Sequence, residues 1–167
     1  EGFGFPEENM HFLQVPHTYK TEGGNTLTVK RFALKLAEGT NSLYRLEQMP
    51  EEYIHSLSDV KSHVYYYRNK EGKFFKLERV EEKTSVVKFR VLEKYRGALK
   101  YLMADWPNIN KESGKVKFTD RGMAELVEAY NLFVDPTSIQ EAPPIKDGRK
   151  IAHVFSLLTA VPQPQSN

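Results

Sequence analysis

HVYYYRNKEGKFFKLERV, residues His63–Val80, is the stretch whose reading decides the fold. Its β-branched and aromatic residues favour strands. Asn69-Lys70-Glu71-Gly72 has the composition of a hairpin loop, so His63–Arg68 and Lys73–Val80 are expected to pair antiparallel. The next stretch, Ser85–Leu92, alternates. Val87, Phe89 and Val91 share one phase and Lys88 and Arg90 the other, as in a half-buried antiparallel strand that returns after Glu81–Thr84.

Working outward, Thr26–Leu36 also alternates, but its apolar phase slips at Lys30-Arg31. This predicts a long strand with a bulge there. Ser42–Leu46 is a candidate partner for it, and Met10–Val15 a short strand upstream. Residues 1–9, with Gly2, Gly4 and Pro6, read as an irregular N-terminal arm.

Helical spacing appears later. Tyr95, Leu99, Leu102, Met103 and Trp106 predict a helix over Glu93–Asp105, with Trp106 partly buried, and Pro107 ends it. Asn108–Gly114 reads as a polar loop and Lys115–Phe118 as a short strand. Thr119-Asp120 caps a helix to about Leu132 whose stripe is Met123, Leu126, Val127 and Tyr130. A short helix is expected over Pro50–Leu57 and a last helix, or alternatively a strand, around Ile151–Leu158, with a connector at 135–147 and a flexible tail at 162–167. Strands first and helices later give an α+β class: a mainly antiparallel β-meander of about 5–7 strands followed by two or three packed α-helices. Residues 10–161 are expected to form one domain, a usual size for that length.

Composition narrows the function classes. The chain has 40% hydrophobic and 28% charged residues and no cysteine, which excludes disulfides, thiolate metal sites and a cysteine nucleophile. No apolar run approaches the roughly 20 residues of a membrane-spanning helix, and no signal-peptide pattern is visible, so a soluble domain is expected. Neither a Gly-x-Ser-x-Gly elbow nor a Gly-rich phosphate loop occurs. The His-carboxylate pairs at helical spacing, Glu51/His55 and Asp59/His63, read as surface pairs. No metal set and no cofactor is expected.

Charge is distributed unevenly. Residues 61–100 hold half of the 24 basic residues but five of the 22 acidic ones, a local net of +7 in a chain of net +2. The sequence points to binding rather than chemistry, through Arg68, Lys73, Lys76, Lys88, Arg90, Lys94 and Lys100. An acidic protein surface is the leading partner class. Single-stranded nucleic acid is the alternative: cations neutralise phosphates, and beside Lys76, Lys88 and Arg90 one sheet face displays either Arg68 or the Tyr65/Tyr67 pair, whose rings could stack on bases. An enzyme with a dispersed site stands third.

Overall fold

The expected hairpin forms in the computed structural model, which describes residues 2–5, 10–21, 23–49, 52, 62–84 and 89–137. Strand β5 (His63–Arg68) pairs antiparallel with β6 (Phe74–Leu77), Tyr66 facing Lys76 and Arg68 facing Phe74. Asn69 builds the turn. Its side-chain oxygen accepts from the amides of Glu71 and Lys73 at 3.1 and 2.9 Å. Gly72 supplies the left-handed backbone, at φ 81°.

On its other side β5 pairs with β4 (Ser42–Glu47), which follows β3 (Thr26–Ala37), β2 (Met10–Lys20) and β1 (Gly2–Phe5). These make a six-stranded antiparallel meander in sequence order. Three helices follow: α1 (Lys94–Leu102), α2 (Ile109–Lys115) and α3 (Asp120–Val134). The class is α+β, a meander and then helices.

The sheet curls strongly. The Lys76 ammonium on β6 comes 3.4 Å from the Thr18 carbonyl on β2, and the Tyr66 hydroxyl on β5 meets His17 on β2 at 2.8 Å. Strands far apart in the ladder therefore face each other across the inside of a roll. Val15, Ala33, Tyr44, Leu46, Val64 and Tyr66 fill that inside. The outer face carries the larger core, where Leu43, Tyr65, Tyr67 and Leu77 meet Tyr95, Leu99, Met103, Trp106 and the α3 stripe of Met123, Leu126, Val127 and Tyr130. Alternation along β5 sends Tyr65 and Tyr67 outward to the helices and Tyr66 into the roll.

Several elements differ from the sequence reading. Residues 2–5 pair with β2 as a strand, where an irregular arm is expected. Its Phe3 ring stacks on Phe12 at 4.9 Å and meets Phe32 edge-on at 4.9 Å, which anchors it. Strand β2 runs through Pro16. Strand β1 pairs as far as Leu13, so among the described residues β2 has a single neighbour at Pro16, where a proline is tolerated. The register is regular at Lys30-Arg31, and the irregularity falls instead between Lys35 and Ala37. The apolar phase slips because both sheet faces bury residues: Ala33 enters the roll, and Leu36 packs on the helix side.

Lys73–Val80 breaks at Glu78, whose carbonyl accepts the Tyr95 amide at 3.1 Å. Beyond the break, β7 (Val80–Lys83) and β8 (Phe89–Leu92) form a separate two-stranded sheet rather than extending the meander. Val91, expected inward, is exposed. Asn108–Gly114 is mostly helix α2, with Ile109 and Ser113 buried one turn apart. Residues 116–118 are a connection, not a strand. Val116 is buried there, and Phe118 packs its ring 4.8 Å from that of Tyr65. Thr119 caps α3 by accepting from the Gly122 amide. The helices expected over Pro50–Leu57 and Ile151–Leu158, the tail and Lys88 lie outside the described residues. No described helix is long and apolar enough to cross a membrane.

Candidate binding face

The hairpin and the start of α1 position the basic residues. Arg68 ends β5 with its guanidinium exposed, 5.8 Å above the Phe74 ring that faces it across the ladder. No carboxylate among the described residues lies within ion-pair distance of it. Lys76 pairs with Glu78 at 3.0 Å, and Lys94 reaches the other oxygen of the same carboxylate at 3.8 Å. Lys73 sits in the turn, 3.1 Å from Glu71. That contact holds the exposed Glu71 carboxyl below its usual range.

The structure therefore joins Lys76 and Lys94 through Glu78 and sets Arg68 and Lys73 at the hairpin end. Arg90 stands exposed on β8, in the other sheet, and Lys100 lies in the last turn of α1. Neither makes an ion pair with the first group among the described residues. The Tyr65/Tyr67 pair offered for stacking is closed, at 0% and 1% exposed, and Tyr66 is closed too, at 3%. Burial also pushes their hydroxyl pKa values up.

Arg68 leans over a feature the sequence reading missed. At the open end of the roll, a cleft of about 420 Å³ is bounded by β1 and β2 on one wall and by Tyr44 and Arg68 on the other. Lys35 and Glu38 close one side, paired at 2.7 Å, and His11 lines the β2 wall. The inner side of β1 is bare. A Cβ at Gly2 would lie 2.7 Å from the Phe12 carbonyl oxygen, and one at Gly4 would lie 2.9 Å from His11 Nδ1.

Two polar clusters lie deeper. Inside the roll, the Tyr66 oxygen takes a backbone hydrogen bond from Thr18, which favours its own proton going to His17 Nδ1. The imidazole proton then sits on Nε2, facing Glu52 Oε2 at 3.7 Å. That spacing is an ion-pair distance, yet His17 stays neutral at neutral pH. Burial, followed by the charges of Lys76 and Arg31, lowers its pKa to about 4. Glu52 is already held, by the Arg31 guanidinium and by the Met49 amide at 2.8 Å.

At the helix side, Asp120 in the first turn of α3 accepts from the Arg45 guanidinium and from the Tyr65 hydroxyl, the latter at 2.9 Å. His63 Nε2 lies 3.1 Å from that hydroxyl and so donates to it. Burial lowers the His63 pKa. The His17 cluster faces core, whereas in the helix-side cluster the Arg45 and Asp120 side chains stay 30% and 40% exposed. Among the described residues, no three His, Asp or Glu side chains gather as metal ligands.

The missed residues, Lys35, His11, Leu13 and Tyr44, come from strands remote in sequence from the hairpin. Tyr44 reaches Arg68 through the β4–β5 pairing, whereas His11 and Leu13, three strands away in the ladder, come near it through the curl of the sheet. Comparison of the chain with protein-family models, with curated proteins and with solved structures found no match.

Proposed function

We propose that this chain is a binding module that receives an acidic segment of another protein at the hairpin end of the roll, centred on Arg68. One observation carries the reading. Arg68 is an exposed guanidinium resting on an aromatic ring, without a carboxylate of its own among the described residues, at the rim of a cleft. Guanidinium is the cation best matched to carboxylates, which it binds through two parallel hydrogen bonds. Lys35, Lys73 and Lys76 flank it. Their present pairs are with partly or fully exposed carboxylates, and such pairs hold by about 0–1 kcal/mol, so an incoming carboxylate exchanges with them at little cost.

Protein acid groups are favoured over nucleic acid because the three tyrosine rings are closed to stacking. The test is fluorescence anisotropy with labelled polyglutamate and labelled oligothymidylate, at rising salt, on the wild type and on Arg68→Glu. Polyglutamate should bind and lose affinity with salt, and charge reversal should remove most of the binding. Tighter binding of oligothymidylate, or no effect of Arg68→Glu on polyglutamate, would sink the reading.

A further inference from the structure

The edge of β1 says how such a segment would bind. Strand β1 is terminal in the sheet, and among the described residues its strand partner is β2, on one side. Exposed edges are usually blunted by charge, proline or a bulge. Gly2-Phe3-Gly4-Phe5 carries no charge and no proline, and its register with β2 is regular from Gly2↔Leu13 to Phe5↔Met10. Phe3, stacked on Phe12 and set edge-on to Phe32, holds the strand in place from its outer side. The inner side is glycine, and the cleft opens beside it, with Lys35 and Arg68 among its lining residues.

Resting on the reading of Arg68 above, we infer that the acidic segment binds as an added β-strand along the outer edge of β1, the edge away from β2. Every second side chain, a carboxylate, enters the cleft toward Arg68, and toward Lys35 where it exchanges with Glu38. Strand addition gives affinity through main-chain hydrogen bonds and specificity through alternate side chains. Alternation fixes the ligand class: an extended segment with acidic residues at every other position. The intervening residues lie on the side of Phe3 and Phe32, each 45% exposed, and are best apolar. Charge complementarity favours this occupant over a second copy of the chain, whose own β1 would bring no carboxylate into the cleft.

The probe is a rhodamine-labelled octapeptide of alternating Val and Glu, compared with its Gln counterpart and with a version N-methylated at alternate amides on the pairing edge. The Val–Glu peptide should bind, and amide exchange at Gly2 and Gly4, whose N–H groups face away from β2, should slow on binding. Arg68→Gln, the Gln peptide and N-methylation should each weaken binding at least about tenfold, the effect of losing charge-assisted or several main-chain hydrogen bonds. If the N-methylated peptide binds as well as the parent while Arg68→Gln still weakens both, strand addition is wrong and the charge reading stands. If neither Arg68→Gln nor the Gln peptide changes affinity, or no peptide binds by about 1 mM, both fall. A protein that dimerises through β1 with no competition from the peptide would also overturn strand addition.

Discussion

Acidification should weaken the fold through His17, in a pH window set by its environment. The side chain is fully buried inside the roll, and its pKa is lowered from 6.5 to about 4, by burial first and then by Lys76 and Arg31. Tyr19 stacks on it, Tyr66 bonds it, and Glu52 and Glu78 are the acids nearby. Because the folded value is depressed, the unfolded chain binds more protons between the two values, and stability rises with pH there. The contribution is complete above pH 6.5 and is lost as pH falls toward 4. Linkage puts the loss at about 2 kcal/mol by pH 5 and about 3 kcal/mol once both states are protonated. Glu52 opposes part of it, so these figures are ceilings. Trp106, the chain's only tryptophan, is buried in the helix-side core and reports urea unfolding. The measurement is the stability gap between the wild type and His17→Gln, which removes the titration while leaving a polar group for Tyr66. That gap should narrow by about 2 kcal/mol from pH 7 to pH 5. A constant gap, or an NMR titration placing the His17 imidazole at 6 or above, would refute the reasoning.

Two further substitutions test the packing. Asn131 accepts from the Asn41 amide and side chain at 2.9 and 3.0 Å and donates to the Asn41 carbonyl at 2.8 Å, all buried, clasping the β3–β4 turn to α3. Asn131→Leu leaves those groups unpaired and should cost about 3 kcal/mol in urea unfolding; a loss under about 1 kcal/mol would show the clasp to be dispensable. Alanine for glycine should act oppositely in two helices. At Gly122 a Cβ lies 2.8 Å from the Lys117 carbonyl oxygen, whereas at Gly97 nothing lies within 4 Å. Gly97→Ala should gain up to about 1 kcal/mol from helix propensity, and Gly122→Ala should lose stability despite that propensity; equal gains at both would contradict the close approach.

The sequence reading succeeded where local pattern and burial agree. The α3 stripe was legible because Met123, Leu126, Val127 and Tyr130 repeat at helical spacing behind a threonine cap, and all four are buried. The 69–72 loop was legible because Asn69 and Gly72 each do what a turn requires. Helix α2 was not, since seven residues with Ile109 and Ser113 inward give too little periodicity to notice. Strand β1 was hidden by its glycines, which signal irregularity in isolation. Here they face the cleft while Phe3 faces outward. The curl is a long-range property: nothing near Lys76 announces Thr18, 58 positions away. For the same reason the cleft, with Lys35 and His11, was invisible, although Arg68 at its rim was among the expected residues.

The net charge of residues 61–100 is a poor measure of binding capacity, because each cation's neighbour decides what it can offer. Lys73 is occupied by Glu71, Arg96 by Glu93 at 2.7 Å, and Lys76 and Lys94 share Glu78. Glu78 between two lysines leaves one positive charge, and that charge is spread over a group whose geometry is already satisfied. An incoming carboxylate there replaces one contact with another and gains little. At Arg68 it replaces water. The guanidinium has Phe74 beneath it, which restrains its position and lowers the ordering cost of a two-pronged contact. The same carboxylate therefore gains more at Arg68 than at any of the paired lysines. A single charge reversal at Arg68 should outweigh reversal at Lys73 or Lys94, although all three changes alter net charge equally.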